Sequence, residues 1–206
     1  AKGQAPGWYR MPLGSFEITA LSDGTVDLPV DQLLTNTTAA RVRAALMRAY
    51  LKVPVETSVN GYLVNTGSKL VLVDAGAGQL FGPTLGNLVA NLKASGYQPE
   101  QVDEIYITHM HPDHVGGLVI DNKVTFPNAV VRADQADADF WLSQANLDAA
   151  PKESKGFFQG AMGLHAAGRG RGQSEPSGEG PRPHRGADPW RRRDESWPGG
   201  GPRRCC

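Results

Sequence analysis

The chain has 206 residues, room for one or two domains, and its 40% apolar content is ordinary for a globular protein. No stretch approaches the roughly 18 apolar residues that a membrane helix needs, and no signal-peptide pattern is seen, so neither a membrane span nor a membrane partner is expected. The net charge of zero conceals an asymmetry: residues 1–162 carry 12 Lys and Arg against 16 Asp and Glu, whereas the last 44 carry nine Arg against five acids.

The first of these two parts alternates strand and helix patterns. Phe16-Glu17-Ile18-Thr19-Ala20-Leu21 reads as a strand, and Thr37 or Thr38 is placed to cap a helix whose Val42, Leu46, Ala49 and Tyr50 recur at helical spacing. Strands are expected from Val59 to Asn65 and from Lys69 to Asp74, joined by the compact turn Thr66-Gly67-Ser68. Pro83 sits where a helix could begin, Leu85, Leu88, Val89 and Leu92 would form its apolar face, and Gly96 would end it. Glu104 to Thr108 is β-branched and apolar, as a buried strand should be. Ala129-Val130-Val131 reads as a short strand, and Gln135–Gln144 and Ser154–Met162 as helices.

Chemistry concentrates in His109-Met110-His111-Pro112-Asp113-His114, where four of six side chains are metal-ligand types. Side chains two apart on a strand share a side, so His109 and His111 can bind one ion together. Pro112 cannot continue a sheet ladder, so the chain should turn there and aim Asp113 and His114 from a loop, with Gly116-Gly117 letting the backbone pass close by. Three histidines and an aspartate are costly to pack this densely without a metal. Imidazole suits zinc and other first-row divalent ions, and the carboxylate admits harder ones. Two ions about 3.5–4 Å apart can acidify a bound water and polarise a substrate together, so hydrolysis is the natural chemistry.

Thr108 through Leu118 resembles the signature of the metallo-β-lactamase fold superfamily. Four further segments, Ala20–Thr25, Gly61–Gly67, Phe81–Gly86 and Asp139–Gln144, are similar to the methyl parathion hydrolases, the organophosphorus hydrolases of that superfamily. The resemblance runs from about Gly7 to Met162. It implies an α/β (α+β) four-layer αββα sandwich, represented here mainly by its N-terminal half, and a site for two divalent ions, with zinc the leading candidate. His109 and His111 would hold one ion and Asp113 and His114 the other, Asp113 serving as catalytic residue chiefly through that ligation. Asp74 would sit at a strand end beneath the metals and orient a ligand histidine. Phe81, Trp141 and Phe158 would line the pocket for an aryl leaving group, with Phe157 beside Phe158 leaving the helix register open.

The implied reaction is attack of a metal-activated hydroxide on a small-molecule organophosphate, an aryl triester. Two alternatives stand beside it: another hydrolase of the superfamily, such as an acyl homoserine lactonase, and a non-catalytic remnant with a partial metal site. Resemblance to an exported hydrolase points to the periplasm or exterior, with a cytoplasmic origin left open.

From Gly163 onward the composition changes: Gly, Arg and Pro supply 25 of 44 residues, and Ile, Val, Phe, Tyr and Met are absent. Such a segment cannot build a core and is expected to be disordered. Its restriction to residues with GC-rich codons points to a shifted reading frame just after Met162. A natural arginine-rich tail for nucleic acid is the rival, weakened by the five acids, so no nucleic-acid partner is expected. Cys205-Cys206 form no metal motif by themselves. The downstream ligands that the resemblance implies, two histidines and a bridging aspartate, have no counterpart motif, and His165 and His184 lie in unrelated sequence. A sheet face left without its partner would invite self-association, so a homodimer is an open expectation.

Overall fold

The computed structural model describes residues 5–169. A six-stranded sheet runs β1 (Trp8–Leu13), β2 (Phe16–Leu28), β3 (Val55–Asn65), β4 (Leu70–Val73), β5 (Glu104–Tyr106) and β8 (Val130–Arg132) in that spatial order, and β6 (Val119–Ile120) and β7 (Lys123–Val124) form a separate ribbon. β1 to β4 are antiparallel neighbours, whereas β4, β5 and β8 are parallel. The helices are α1 (Val30–Leu33), α2 (Ala39–Arg48), α3 (Leu88–Ala94), α4 (Pro112–Val115), α5 (Gln135–Trp141), α6 (Gln144–Ala149) and α7 (Lys155–Arg169). This mixed α/β sheet with helices is the architecture expected for the N-terminal half of the sandwich.

Alternation along the strands sorts the two faces. Thr19, Leu63, Leu72 and Ile105 are register partners in successive strands and all are buried, with Leu21 beside them. Leu88 and Leu92, on one side of α3, close over this row with Val102, Val115 and Phe126. The opposite face carries the row Tyr9, Ala20, Tyr62, Val73 and Tyr106, again register partners, of which the three tyrosines are exposed.

Several elements depart from the sequence expectation. β2 continues to Leu28 through a bulge between Ser22 and Gly24, which leaves Asp23 unpaired in the ladder and turned into the interior at 1% exposure. The Asp23 carboxylate accepts the backbone N–H groups of Ala77 (2.9 Å), Gly86 (3.0 Å) and Leu88 (2.9 Å). Those bonds explain why α3 begins at Leu88 rather than at Pro83: Gly86 has φ +89, outside helical space, and its N–H is spent on Asp23. Thr38 is the cap of α2, its hydroxyl accepting from Arg41 N–H at 3.3 Å, but the helix stops at Arg48 and Tyr50 is 98% exposed rather than part of the apolar side. The expected helix 135–144 is two helices, split where Ser143 caps α6. α7 runs past Met162 to Arg169, so order extends seven residues into the segment expected to be disordered; the remainder of that segment, with His184, Cys205 and Cys206, lies outside the described residues.

Candidate metal centre

Val73 and Tyr106 pair at the C-terminal ends of parallel β4 and β5, and the loops leaving that edge carry the candidate residues. Open α/β sheets place ligands at this edge because successive chain exits open a crevice there. Asp74 follows β4 directly, at φ +60, a left-handed conformation that a short polar side chain tolerates. Its carboxylate, buried beneath the loop, accepts from Thr108 N–H (2.8 Å) and from the Thr108 hydroxyl (2.8 Å), and faces His114 Nδ1 at 2.9 Å.

The strand ends at Tyr106, so His109 and His111 leave it on a loop rather than projecting from one side of a strand. They meet nonetheless: their ring centroids are 4.6 Å apart, and His109 lies 3.9 Å from His114. Pro112 begins a helical turn, α4, because its missing N–H costs nothing at the first helical position. Asp113 and His114 therefore come from a helical turn rather than an irregular loop.

Gly116 and Gly117 fix how close that turn comes to the β4 loop. His114 C=O accepts Ala75 N–H at 2.8 Å, Gly117 N–H donates to Gly76 C=O at 2.9 Å, and a Cβ on Gly117 would stand 1.9 Å from the Ala75 oxygen. Only glycine allows the two backbones to zip together, and the zip sets Asp74 beneath His114.

The charges differ sharply among the histidines. Burial, followed by the His114 charge, holds His109 below the ordinary imidazole range, and burial followed by His109 does the same to His111. Burial also opposes charge on His114, but hydrogen bonds to Asp113 and then Asp74 outweigh it and raise its pKa to about 9. Asp74 and Asp113 are both lowered: burial pushes each up, and hydrogen bonding to His114 overcomes it. Two neutral imidazoles thus lie beside an imidazolium bracketed by two carboxylates.

An aromatic wall stands over this cluster. Trp141, at the end of α5, meets the His111 ring edge-on at 5.1 Å, and Phe157 of α7 lies 5.8 Å from His111 and 6.3 Å from Phe81. Phe158, expected in the pocket, is 3% exposed and stacks on Trp141 (4.6 Å) and Phe140 (5.3 Å). Adjacent helical residues point about 100° apart, so Phe157 takes the place at the histidines and Phe158 backs the wall.

The family model described as the metallo-beta-lactamase superfamily matches residues 54–201. The chain belongs to the metallo-β-lactamase superfamily. A hydrolase of the beta-lactamase superfamily, AbOPH, is 40% identical with a TM-score of 0.73 over 82% of this chain and 58% of its own. The dizinc quorum-quenching lactonase AidC is 26% identical with a TM-score of 0.72 over 80% of this chain and 59% of its own. Exodeoxyribonuclease WalJ of Streptococcus pneumoniae (serotype 2, strain D39) is 39% identical over 62 residues, 30% of this chain and 21% of that protein. The chain therefore spans about a fifth of WalJ and under three fifths of the two hydrolase structures.

Superfamily membership and the dizinc neighbour point to divalent metals, and part of the donor set fits them. His114 Nε2 and Asp113 Oδ2 stand 3.3 Å apart. Two ligands about 2.1 Å from one tetrahedral ion are separated by about 3.4 Å, so the spacing of this pair suits two ligands of one ion. Asp74 on Nδ1 leaves Nε2 for the metal, the usual arrangement around a ligand histidine. Among the described residues, however, no group of three or more His, Cys, Asp or Glu could hold a metal ion as it stands.

Three contributors had no role assigned from the sequence: Thr108 and Asp23, which lie inside the similar segments, and Asp137. Asp137 Oδ2 accepts Met110 N–H at 2.6 Å. Its signal in the sequence was the spacing Asp137 to Trp141, four residues on one helical side.

Proposed function

We propose that this chain carries the N-terminal ligand set of a metal-dependent hydrolase acting on aryl organophosphate triesters. The observation that carries the reading is the line Asp74–His114–Asp113, a hydrogen bond on Nδ1 at 2.9 Å and an ion pair on Nε2 at 3.3 Å, beside His109 and His111 and beneath an aromatic wall. His109 and His111 would hold one divalent ion, Asp113 and His114 the second, with zinc the first candidate. Bound there, such ions supply an acidified water and Lewis-acid polarisation of the substrate oxygen.

The chain's own residues set the frame for that chemistry. Asp74 holds the proton of His114 on Nδ1, which keeps Nε2 as the donor facing Asp113. To ligate an ion through Nε2, His114 would have to give up the proton there, so occupancy would be linked to pH. Trp141, Phe157 and Phe81 exclude water from one side and offer an apolar wall to an aryl leaving group. The substrate class rests on this wall and on the similarity of Phe81–Gly86 and Asp139–Gln144 to the methyl parathion hydrolases.

Two other readings each have an observation behind them. Likeness to the lactonase AidC favours a lactone substrate. The lack of three assembled donors among the described residues favours a non-catalytic remnant. A panel of methyl parathion, an acyl homoserine lactone, a thioester and a β-lactam, each with chelator and with added zinc, separates them. The proposal requires zinc-dependent phenolate release from methyl parathion, abolished in Asp113→Ala. Faster lactone opening would establish the second reading, and no turnover of any substrate the third.

A further inference from the structure

We propose that Asp137 is a positioning residue that fixes the backbone between His109 and His111, a claim resting on the metal reading above. α5 starts behind its Asp134 cap, which accepts Ala136 N–H at 2.9 Å, and presents Asp137 and Trp141 four residues apart on one side. That side grips the histidine loop twice. The Asp137 carboxylate takes the Met110 amide at 2.6 Å, and the Trp141 indole meets the His111 ring edge-on at 5.1 Å.

Met110 is the residue between the two histidines, so its position governs both. A bond to its N–H fixes the His109–Met110 peptide plane, while the partly buried Met110 side chain packs against the main hydrophobic core cluster. Amide and side chain of Met110 are thus both anchored, which sets where the two flanking imidazoles leave the backbone. No strand ladder performs this task, because β5 ends at Tyr106.

A plainer role is available: Asp137 is the third residue of α5, where an acid improves any helix through its dipole. The two roles separate by substitution. Asp137→Asn keeps an oxygen acceptor for Met110 N–H and removes the charge, whereas Asp137→Ala removes both. Helix-end electrostatics requires the two variants to behave alike; positioning requires Asn to rescue.

The test is zinc affinity by competition with a chromophoric chelator, paired with hydrogen exchange of the Met110 amide in the metal-free chain. Expected is a 10- to 100-fold weaker zinc affinity in Asp137→Ala, the cost typical of removing a group that orients metal ligands, with Asp137→Asn within about threefold of the parent chain. Met110 exchange should accelerate in the Ala variant alone, with the Leu63 and Leu72 amides unchanged as a control for folding. An Asn variant that falls as far as Ala, or an Ala variant with parental Met110 exchange, overturns the proposal. Failure of the parent chain to take up zinc would sink the metal reading instead, and the exchange measurement would still decide the role of Asp137.

Discussion

Replacing Asp74 by Asn tests the electrostatic core of the site with almost no change in shape. Asp74 receives Thr108 N–H on one oxygen and faces the Thr108 hydroxyl and His114 Nδ1 with the other. An Asn that keeps its oxygen on Thr108 N–H turns an NH2 toward His114 Nδ1, which must then accept rather than donate. The imidazole proton is driven to Nε2, the nitrogen facing Asp113. In the metal-free chain the rise of His114 from 6.5 to about 9 corresponds to about 3 kcal/mol, with the side chain 21% exposed. Asp113 contributes first and Asp74 second, so losing Asp74 should cost about 1–2 kcal/mol and lower the His114 pKa by about one unit. Because the folded pKa is raised, this stability is fully present below pH 6.5 and lost as the pH rises through 9. Denaturation at pH 6 and pH 10, with imidazole NMR titration, should show a parent–variant gap that shrinks by about 1–2 kcal/mol at the higher pH. A His114 titration in Asp74→Asn within about 0.3 of the parent would refute the reasoning.

Asp23→Ala strips the acceptor from three backbone N–H groups around a buried site, at about 1–3 kcal/mol each before the relief of desolvating the carboxylate, so a net loss of about 3 kcal/mol is expected in urea denaturation. A loss below about 1 kcal/mol would remove Asp23 from the scaffold. Gly117→Ala forces the β4 loop and α4 apart and should both lower the melting temperature and loosen the Asp74–His114 bond, seen as a fall in the His114 pKa. Phe158→Ala should destabilise by about 3–5 kcal/mol as a core truncation, whereas Phe157→Ala should leave the melting curve nearly unchanged and raise KM for an aryl substrate; the reverse pattern would restore Phe158 to the pocket. The row Tyr9, Tyr62 and Tyr106 is exposed, and if self-association uses that face, Tyr62→Lys should reduce the dimer seen by sedimentation velocity.

Local pattern made the elements legible where one force dominated. The strand patterns of Phe16–Leu21 and Val59–Asn65, the choice of Thr37 or Thr38 as a cap and the apolar spacing of Leu88 and Leu92 act locally, and each falls within an observed element, although β2 runs on to Leu28 and β3 begins at Val55. It misplaced the start of α3 because Asp23, more than sixty residues earlier, claims the Gly86 and Leu88 amides. It expected strand alternation to unite His109 and His111, whereas a loop does so. The Phe157–Phe158 register depended on which side of α7 met α5, which neighbouring residues along the chain do not encode. Cross-chain hydrogen bonds such as Asp137 to Met110 leave no periodicity at all.

The most direct test of the account is zinc titration of the purified, monodisperse chain against a competing chelator, alongside His109→Ala, His111→Ala and His114→Ala. The account predicts saturable uptake of at least one zinc per chain, weakened by each substitution and strengthening as the pH rises toward 9. Uptake absent from the parent chain, or untouched by all three substitutions, would contradict it.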